Sequence, residues 1–157
     1  MKLHICAVGR MRAIDAERPL FDDYLTRFNR TARPLGLGPL TEHEVEDRKG
    51  GGMAAEATLL TRSLPQGATL VALDERGLVL SSPEFSTQLA KWRDNGCTDL
   101  AFIIGGADGI APALRDSADT ALSFGRMVWP HMLVRVMLAE QLYRAATILA
   151  GGPYHRA

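Results

Sequence analysis

The sequence predicts an α/β fold, with a mostly parallel sheet and helices on both faces of it. Short apolar runs of strand length alternate along the chain with segments of helical periodicity, an order typical of parallel sheets connected by helices. The strand-like runs, such as residues 3–8 and 100–104, are almost continuously apolar, which indicates strands buried on both faces. At 157 residues, without an internal repeat or a linker, the chain fits one domain, 1–157.

The first strand and the first helix are predicted in the N-terminal quarter. Residues 3–8 form the strand, which ends at a glycine, and a loop with Arg10 and Arg12 follows. Asp15 is placed to cap the next helix. That helix has one apolar face, formed by Leu20, Phe21, Tyr24, Leu25 and Phe28. Prolines and glycines between residues 34 and 39 then break the chain.

The middle of the chain is predicted to form two strands around one helix. These elements are a weak, polar strand at 40–46, a helix at 53–64 and an apolar strand at 69–73. Arg48 and Lys49, followed by three glycines, make a flexible basic loop before the helix. The polar segment 74–77 follows the second strand, at the carboxyl end where open α/β sheets bind ligands.

A capping box predicts the third helix. Ser81 precedes Glu84 by three residues, Pro83 lies in the first turn, and Gly96 ends the helix. The remaining predicted elements are a strand at 100–104, a short helix opened by Pro112, a strand at 121–124 and a long helix at 132–149.

The last predicted helix is apolar on more than one side. Its polar positions are Arg135, Glu140, Gln141, Arg144 and Thr147. At 100° per residue, Arg135 lies nearly opposite Arg144, so apolar surface remains on both sides of the line that joins them. A single sheet covers only one side of a helix, and we therefore expect a homodimer.

Composition excludes several classes of protein. The 18 Lys and Arg residues balance the 18 Asp and Glu residues, which argues against a chain wrapped in nucleic acid. The basic part is 120–157, where four arginines face Glu140 alone. Cys6 and Cys97 form no CxxC pair and the histidines have no metal-ligand spacing, so we expect neither a disulfide nor a metal. No apolar run suits a signal peptide or a membrane span, and we expect a cytoplasmic protein.

Three segments that follow predicted strands are expected to converge, namely residues 73–77, 105–109 and 124–131. Glycines at 105 and 106 would let a ligand approach the backbone, although a turn that needs glycine only for its geometry is an alternative. The chain lacks both the dinucleotide GxGxxG and the phosphate-binding GKS or GKT motif, which disfavours the usual nucleotide-binding classes. His131 is open to two interpretations, as a cap of the last helix or as a ligand contact.

Two features lie near the C-terminus. Glu140 and Arg144 are four residues apart, which a surface ion pair on the helix is sufficient to explain. Tyr154, His155 and Arg156 gather an aromatic ring, an imidazole and a guanidinium, the side chains that stack on bases and bind phosphate. A tail docked for structural reasons is the alternative.

Four motifs resemble those of one known family. They are LDERGLVLSS at 73–82, FIIGGADG at 102–109, PHMLVRVMLAEQLYRA at 130–145 and PYHR at 153–156. With the N-terminal MKLHICAVGR they span most of the chain, which resembles the SPOUT-superfamily methyltransferases of the RlmH family. Members methylate N3 of a pseudouridine in the helix 69 stem-loop of 23S rRNA. Ala107 and Asp108 depart from the usual Pro-Glu or Ser-Tyr, and Gly152 stands where His is frequent.

The resemblance implies a trefoil knot, with the chain from about Phe124 threaded through an earlier loop, and a homodimer. It also implies an S-adenosylmethionine site, whose cofactor adopts a bent conformation and contacts the backbone of the knot. The residues implied to bind the cofactor are Leu73, Gly105, Gly106, Gly125, Arg126, Met127, Val128, Trp129 and Pro130.

The resemblance further implies contacts to 23S rRNA, within the assembled ribosome. Phosphate-binding residues would be Arg135, Arg144, Arg156, Arg48 and Lys49, some of them from the partner subunit. Catalytic residues would be Tyr154, His155 and Arg156. The proton on N3 must leave around the time of transfer, and His155, Tyr154 and Asp108 all remain candidate acceptors. Two alternatives are a ribosome-binding protein without catalysis and a knotted methyltransferase acting on tRNA.

Overall fold

The computed structural model of the chain describes residues 1–156 and contains five strands, five α-helices and one 3-10 turn. The strands are β1 Lys2–Val8, β2 Leu40–Val45, β3 Thr69–Val79, β4 Asp99–Ile104 and β5 Thr120–Ser123. The helices are α1 Glu17–Ala32, α2 Gly52–Ser63, α3 Ser82–Asp94, α4 Pro112–Ser117 and α5 His131–Leu149, and the 3-10 turn is Arg33–Leu35. None of the helices between residues 1 and 156 has the length and apolar character that a membrane crossing needs.

The strands form one sheet in the order β2-β1-β4-β3-β5, and every pair is parallel. The predicted parallel sheet is therefore confirmed. Because all five strands run in the same direction, the loops that follow them meet at one edge of the sheet. The order places the loop after β4 between the loop after β1 and the loop after β3.

Helices cover both faces of the sheet, as predicted. On one face, α1, α3 and α5 pack over alternate residues of the central strands, including Ile5 and Phe102. On the other face, α2 and α4 cover the intervening residues, including Cys6 and Ile103. Burial raises the pKa of the Cys6 thiol to about 11, so this cysteine is an apolar core residue and not a nucleophile.

The third helix begins as the sequence predicts. The Ser81 hydroxyl accepts a hydrogen bond from the N–H of Glu84, and the Glu84 carboxylate accepts one from the N–H of Ser81 at 2.7 Å. The prediction that Asp15 caps α1 is wrong. That helix begins at Glu17, without a side-chain cap, and the Asp15 carboxylate instead accepts hydrogen bonds from the N–H and the guanidinium of Arg12.

The strand β3 is longer than predicted. It continues through residue 79, with an irregularity in its pairing with β5 between Leu73 and Leu78. The polar segment 74–77 forms this irregularity. A Cβ on Gly77 would lie only 2.6 Å from the carbonyl carbon of Ala121, so the two strands approach so closely there that only glycine fits.

The long helix α5 is covered within its own chain on more sides than the sequence indicated. It packs between α1 and α3 on the sheet. Its buried residues are Arg135, Val136, Leu138, Ala139, Leu142, Ala145, Ala146 and Thr147. The inference that one chain leaves a whole side of this helix uncovered is therefore wrong, because the neighbouring helices supply the cover that we assigned to a second copy. The trefoil knot stays a prediction.

Candidate cofactor and substrate site

A cavity of about 600 Å³ opens at the carboxyl edge of the sheet. Its lining comes from the irregular part of β3, the end of β4 with the turn that follows it, the end of β5 with the loop that follows it, and the start of α5. The lining residues are Leu73–Arg76, Ile104–Ile110, Leu122, Phe124, Gly125, Met127–Pro130, His131 and Val134. The three segments that were predicted to converge do meet here. Of the nine residues expected to bind the cofactor, eight line the cavity, and Arg126 points to solvent without lining it.

The wall after β4 is a tight reversal of the backbone. The N–H of Gly109 donates to the carbonyl oxygen of Gly106 at 3.0 Å, and these two residues form an isolated antiparallel bridge. Gly105 is buried beneath this turn. A Cβ on Gly105 would lie 2.4 Å from the carbonyl carbon and oxygen of Gly109, closer than any real contact. The turn therefore depends on glycine at 105.

Ser123 fixes the loops on the opposite wall. Its hydroxyl accepts from the N–H of Gly125 at 3.1 Å and lies within hydrogen-bonding distance of the carbonyl oxygens of Glu75 and Gly125. Gly125 has φ of +111°, a backbone conformation that residues with a Cβ rarely adopt. Beyond this turn, Met127 and Val128 are 71% and 79% exposed at the rim of the cavity. This rim offers apolar surface to a flat ligand.

Asp74 is a polar group of the cavity wall that was not among the predicted site residues. Its side chain is 11% exposed, and its carboxylate accepts from the N–H of Arg76 at 2.9 Å. The guanidinium of Arg115 lies 3.8 Å away. The predicted ligand-binding segment 73–77 includes this position, but the family resemblance implied only Leu73 of that segment as a cofactor contact.

His131 is the first residue of α5 and lines the cavity. The interpretation that it caps the helix is wrong, because Pro130 occupies the N-cap position and no side chain caps this end. The Nε2 atom lies 3.3 Å from the position that a Cβ would take on Gly9, at the end of β1. His131 thus joins the cavity to the loop after β1.

Arg135 cannot bind RNA phosphate, and that prediction is wrong. Its side chain is 0% exposed, and Nη1 donates to the carboxylates of Glu42 and Glu44, each at 2.8 Å. Nη2 donates to the carbonyl oxygens of Val8 and Gly9 at 3.2 and 3.0 Å. Arg135 therefore holds the end of β1 and the strand β2 against α5.

The C-terminal tail packs on the second half of α5, away from the cavity. The Tyr154 hydroxyl donates to Glu140 Oε1 at 3.0 Å, and the guanidinium of Arg144 lies 4.8 Å from the centroid of the Tyr154 ring. His155 Nδ1 lies 3.4 Å from Arg144 Nη1. Burial, followed by hydrogen bonds to Tyr24 and Glu140, raises the pKa of Tyr154. Within one chain the tail is docked, and none of its described residues lines the cavity.

The cations expected to hold RNA thus have different environments. Arg144 is engaged by Glu140, to which its Nε donates at 3.0 Å, as the helix-surface ion pair predicted. Arg48 is 79% exposed, and Lys49 lies beside it in the exposed loop after β2. This loop and the cavity lie at the same edge of the parallel sheet, because both follow strand ends.

An apolar groove of about 440 Å³ lies between α1, α3 and α5. It shares Leu122, Phe124 and Gly125 with the cavity. Glu140, which binds the tail, is also part of its lining. The groove therefore connects the cavity wall with the residues that hold the tail.

The sequence that forms this cavity matches a known class of enzyme. The family model described as a predicted SPOUT methyltransferase matches residues 1–155, and the chain therefore belongs to this family. The resemblance carried by the four motifs is confirmed.

Two full-length relatives of the chain have the same name. The protein named "Ribosomal RNA large subunit methyltransferase H" from Cereibacter sphaeroides is 71% identical over 156 residues, which are 99% of each chain. The protein of the same name from a Ruegeria species is 64% identical over the same coverage.

The solved structures that match the chain are much less similar to it in sequence. The SpoU methyltransferase AviRb from Streptomyces viridochromogenes, in complex with AdoMet, gives a TM-score of 0.44 at 16% identity. The match covers 97% of this chain and spans 59% of the AviRb chain. A putative Legionella pneumophila methyltransferase with bound SAM gives a TM-score of 0.48 at 12% identity, covering 97% of this chain and 67% of that one.

Proposed function

We propose that the chain is an S-adenosylmethionine-dependent methyltransferase that acts on N3 of a pseudouridine in the helix 69 stem-loop of 23S rRNA. The observation that carries the proposal is the cavity assembled from the irregular part of β3 and the segments after β4 and β5, in a chain of the SPOUT methyltransferase family. The name shared by the full-length relatives supports rRNA of the large subunit as the substrate, and such a substrate places the protein in the cytoplasm. Residues 1–157 would form one domain, with the knot at its C-terminal end.

The residues of the cavity fit this cofactor. A volume of about 600 Å³ is within the usual range for a molecule of that size. The Gly105 turn brings backbone amides and carbonyls to the wall, where an adenine ring can bond to them. Asp74 offers a carboxylate that can accept from ribose hydroxyls.

The protein contributes to the reaction by aligning the methyl donor with its acceptor. A methyl group bound to a sulfonium is already activated, so the enzyme has to bring it into line with a nitrogen nucleophile and exclude water. Met127, Val128 and Trp129 form the apolar rim that would cover the reacting atoms. Arg48, Lys49 and the tail residue Arg156, all exposed, remain the proposed phosphate contacts.

The function is tested on rRNA from a strain that lacks the gene. Mass spectrometry should show the loss of one methyl group from a single pseudouridine of helix 69, and the gene on a plasmid should restore it. An unchanged modification map would favour a ribosome-binding protein without catalysis. A loss from tRNA would instead identify the alternative methyltransferase.

We propose further that a second copy of the chain covers the apolar groove and completes the site as a homodimer. The groove is lined by apolar residues that one chain leaves open, among them Leu20 at 47% and Val79 at 67% exposure. Because it shares a wall with the cavity, a partner seated there would lie beside the cofactor. The partner's tail could then reach the substrate, which the docked tail of the same chain does not.

Sedimentation at micromolar concentration should show twice the 17.1 kDa of one chain. Leu20→Glu places a charge in the groove, and we expect it to shift the protein toward monomer and lower methyl transfer about 100-fold, because alignment is lost. Ile14→Glu is the matched control, since Ile14 is 83% exposed and does not line the groove. A wild-type monomer, or an intact Leu20→Glu dimer, would contradict the proposal.

Removal of residues 154–157 should separate cofactor binding from catalysis. The described tail residues do not line the cavity, so affinity for S-adenosylmethionine in calorimetry should stay within about twofold. Methyl transfer to ribosomes should fall by about 100-fold or more, because a base and a phosphate lose their contacts. The melting temperature should fall modestly, since Tyr154 packs on Tyr143 and bonds to Glu140.

The control for this truncation is the chain shortened after Arg156, which keeps all three side chains. If cofactor affinity falls together with activity, the tail belongs to the cofactor pocket. If activity persists, the tail has only a structural role.

A further inference from the structure

Arg10 is held beside the cavity by the residues on either side of it. The N–H of Gly9 donates to a carbonyl oxygen at the end of β2 at 2.8 Å. The N–H of Met11, whose side chain is buried, donates to the Glu44 carboxylate at 2.8 Å. A Cβ on Gly9 would lie 3.3 Å from Nε2 of His131, which lines the cavity. The loop after β1 is therefore anchored next to the cavity, with the exposed Arg10 between its two anchors.

Arg126 has a similar position in the loop after β5. Gly125 and Met127, the residues before and after it, both line the cavity, whereas Arg126 is exposed and does not. The Ser123 hydroxyl accepts from the N–H of Gly125 at 3.1 Å, which fixes the start of this loop. In the sheet, β4 and β3 separate β1 from β5, so Arg10 and Arg126 lie toward opposite sides of the cavity.

The guanidinium groups of Arg10 and Arg126 have no carboxylate partner. Within residues 1–156, no Asp or Glu oxygen lies within 4.0 Å of either group. Other arginines near this edge of the sheet do have such a partner. These pairs are Arg12 with Asp15, Arg48 with Glu46, Arg76 with Asp74 and Arg115 with Asp74. The charges of Arg10 and Arg126 are therefore available to an anionic ligand.

A nucleotide whose base enters the cavity keeps its backbone phosphates outside, at the rim. A planar guanidinium binds phosphate oxygens through two parallel hydrogen bonds, which makes arginine well suited to this contact. We propose that Arg10 and Arg126 bind the RNA backbone on either side of the target nucleotide, each through one phosphate. Such contacts set the register and orientation of the RNA and do not read its sequence.

This inference rests on the proposed function and adds two substrate contacts to Arg48, Lys49 and Arg156. It also gives Arg126 a role toward the RNA, in place of the cofactor contact that the family resemblance implied. The two arginines lie on loops that the fold holds in place, so they would bind the RNA without first having to become ordered.

The test measures binding of the full-length protein to ribosomes from a strain that lacks the gene. The variants are Arg10→Gln, Arg126→Gln and the double substitution. Each single variant should raise the dissociation constant about tenfold, and the double variant about 100-fold, because charge-assisted hydrogen bonds are lost at two separate sites. The slope of the logarithm of affinity against the logarithm of salt concentration should become shallower by about one for each arginine removed.

Arg62→Gln is the control for the lost positive charge. Arg62 is exposed and, among the described residues, also has no carboxylate within 4.0 Å. It lies near the end of α2, just before β3 begins, and therefore at the opposite edge of the sheet. Its dissociation constant and its salt dependence should match those of the wild type. Equal losses in Arg62→Gln and Arg10→Gln would show a general effect of charge and overturn the inference.

Unchanged ribosome binding in the double variant would also overturn the inference. Weaker binding of S-adenosylmethionine by Arg126→Gln, measured by calorimetry, would assign that residue to the cofactor and overturn its part in the proposal. Failure of the proposed function is a separate result, because ribosome binding is measured without catalysis. In that case the wild-type protein would bind ribosomes through both arginines and transfer no methyl group.

Discussion

Replacing Gly105 with alanine should abolish cofactor binding. The added methyl carbon would lie 2.4 Å from the backbone of Gly109 and 2.8 Å from the nitrogen of Ile110, so the turn after β4 must open. Opening moves the backbone groups of the wall away from the ligand. We expect the dissociation constant for S-adenosylmethionine, measured by calorimetry, to rise by at least about 100-fold.

Gly152→Ala is the matched control. Its methyl carbon would meet the carbonyl oxygen of Thr147 at 3.5 Å, an ordinary contact, and the backbone there has no positive φ. Cofactor affinity should be unchanged in this variant. Equal affinity in Gly105→Ala and the wild type would show that the cofactor binds elsewhere.

Replacing Arg135 with methionine should destabilise the protein by about 3 to 5 kcal/mol, because the partly buried Glu42 and Glu44 lose their fully buried cation. They retain only Arg18, whose Nη1 lies 2.9 Å from Glu42 and 3.7 Å from Glu44. Glu42 and Glu44 would face each other's charge, and the carbonyl oxygens of Val8 and Gly9 would lose their donor. Urea unfolding monitored by circular dichroism measures the loss as a lower midpoint at an unchanged slope.

Arg144→Met is the control for the loss of an arginine from the same helix. Its ion pair with Glu140 is partly exposed, so the expected cost is about 1 kcal/mol or less. Adding Glu42→Gln and Glu44→Gln to Arg135→Met should recover part of the lost stability, since both carboxylates are then neutral and Arg18 keeps its ion pair with Asp22 at 2.7 Å. If Arg135→Met costs no more than Arg144→Met, the buried network contributes little.

Local patterns predicted most of the fold. The capping box at Ser81, the apolar run of β4 and the periodicity of α5 each depend on neighbours a few residues away, and each element is where the pattern placed it. The position of the cavity followed from the same patterns, because parallel strands bring their following loops to one edge.

Contacts between distant parts of the chain could not be predicted in this way. Arg135 was assigned to RNA phosphate from the family resemblance, and nothing near it in sequence indicates Glu42 or Glu44. The cover of α5 likewise depends on how α1 and α3 pack beside it.

The contacts of Arg135 also bear on the order in which the chain acquires its structure during synthesis. Arg135 is separated by 127 and 126 positions from Val8 and Gly9, whose carbonyl oxygens it binds. These hydrogen bonds at the end of the first strand therefore cannot form until most of the chain has left the ribosome. The parallel pairing of β1 with β4 also requires segments that are distant in sequence to come together. A topology of this kind is expected to fold slowly, and its nascent N-terminal half would expose apolar strands to chaperones and to aggregation.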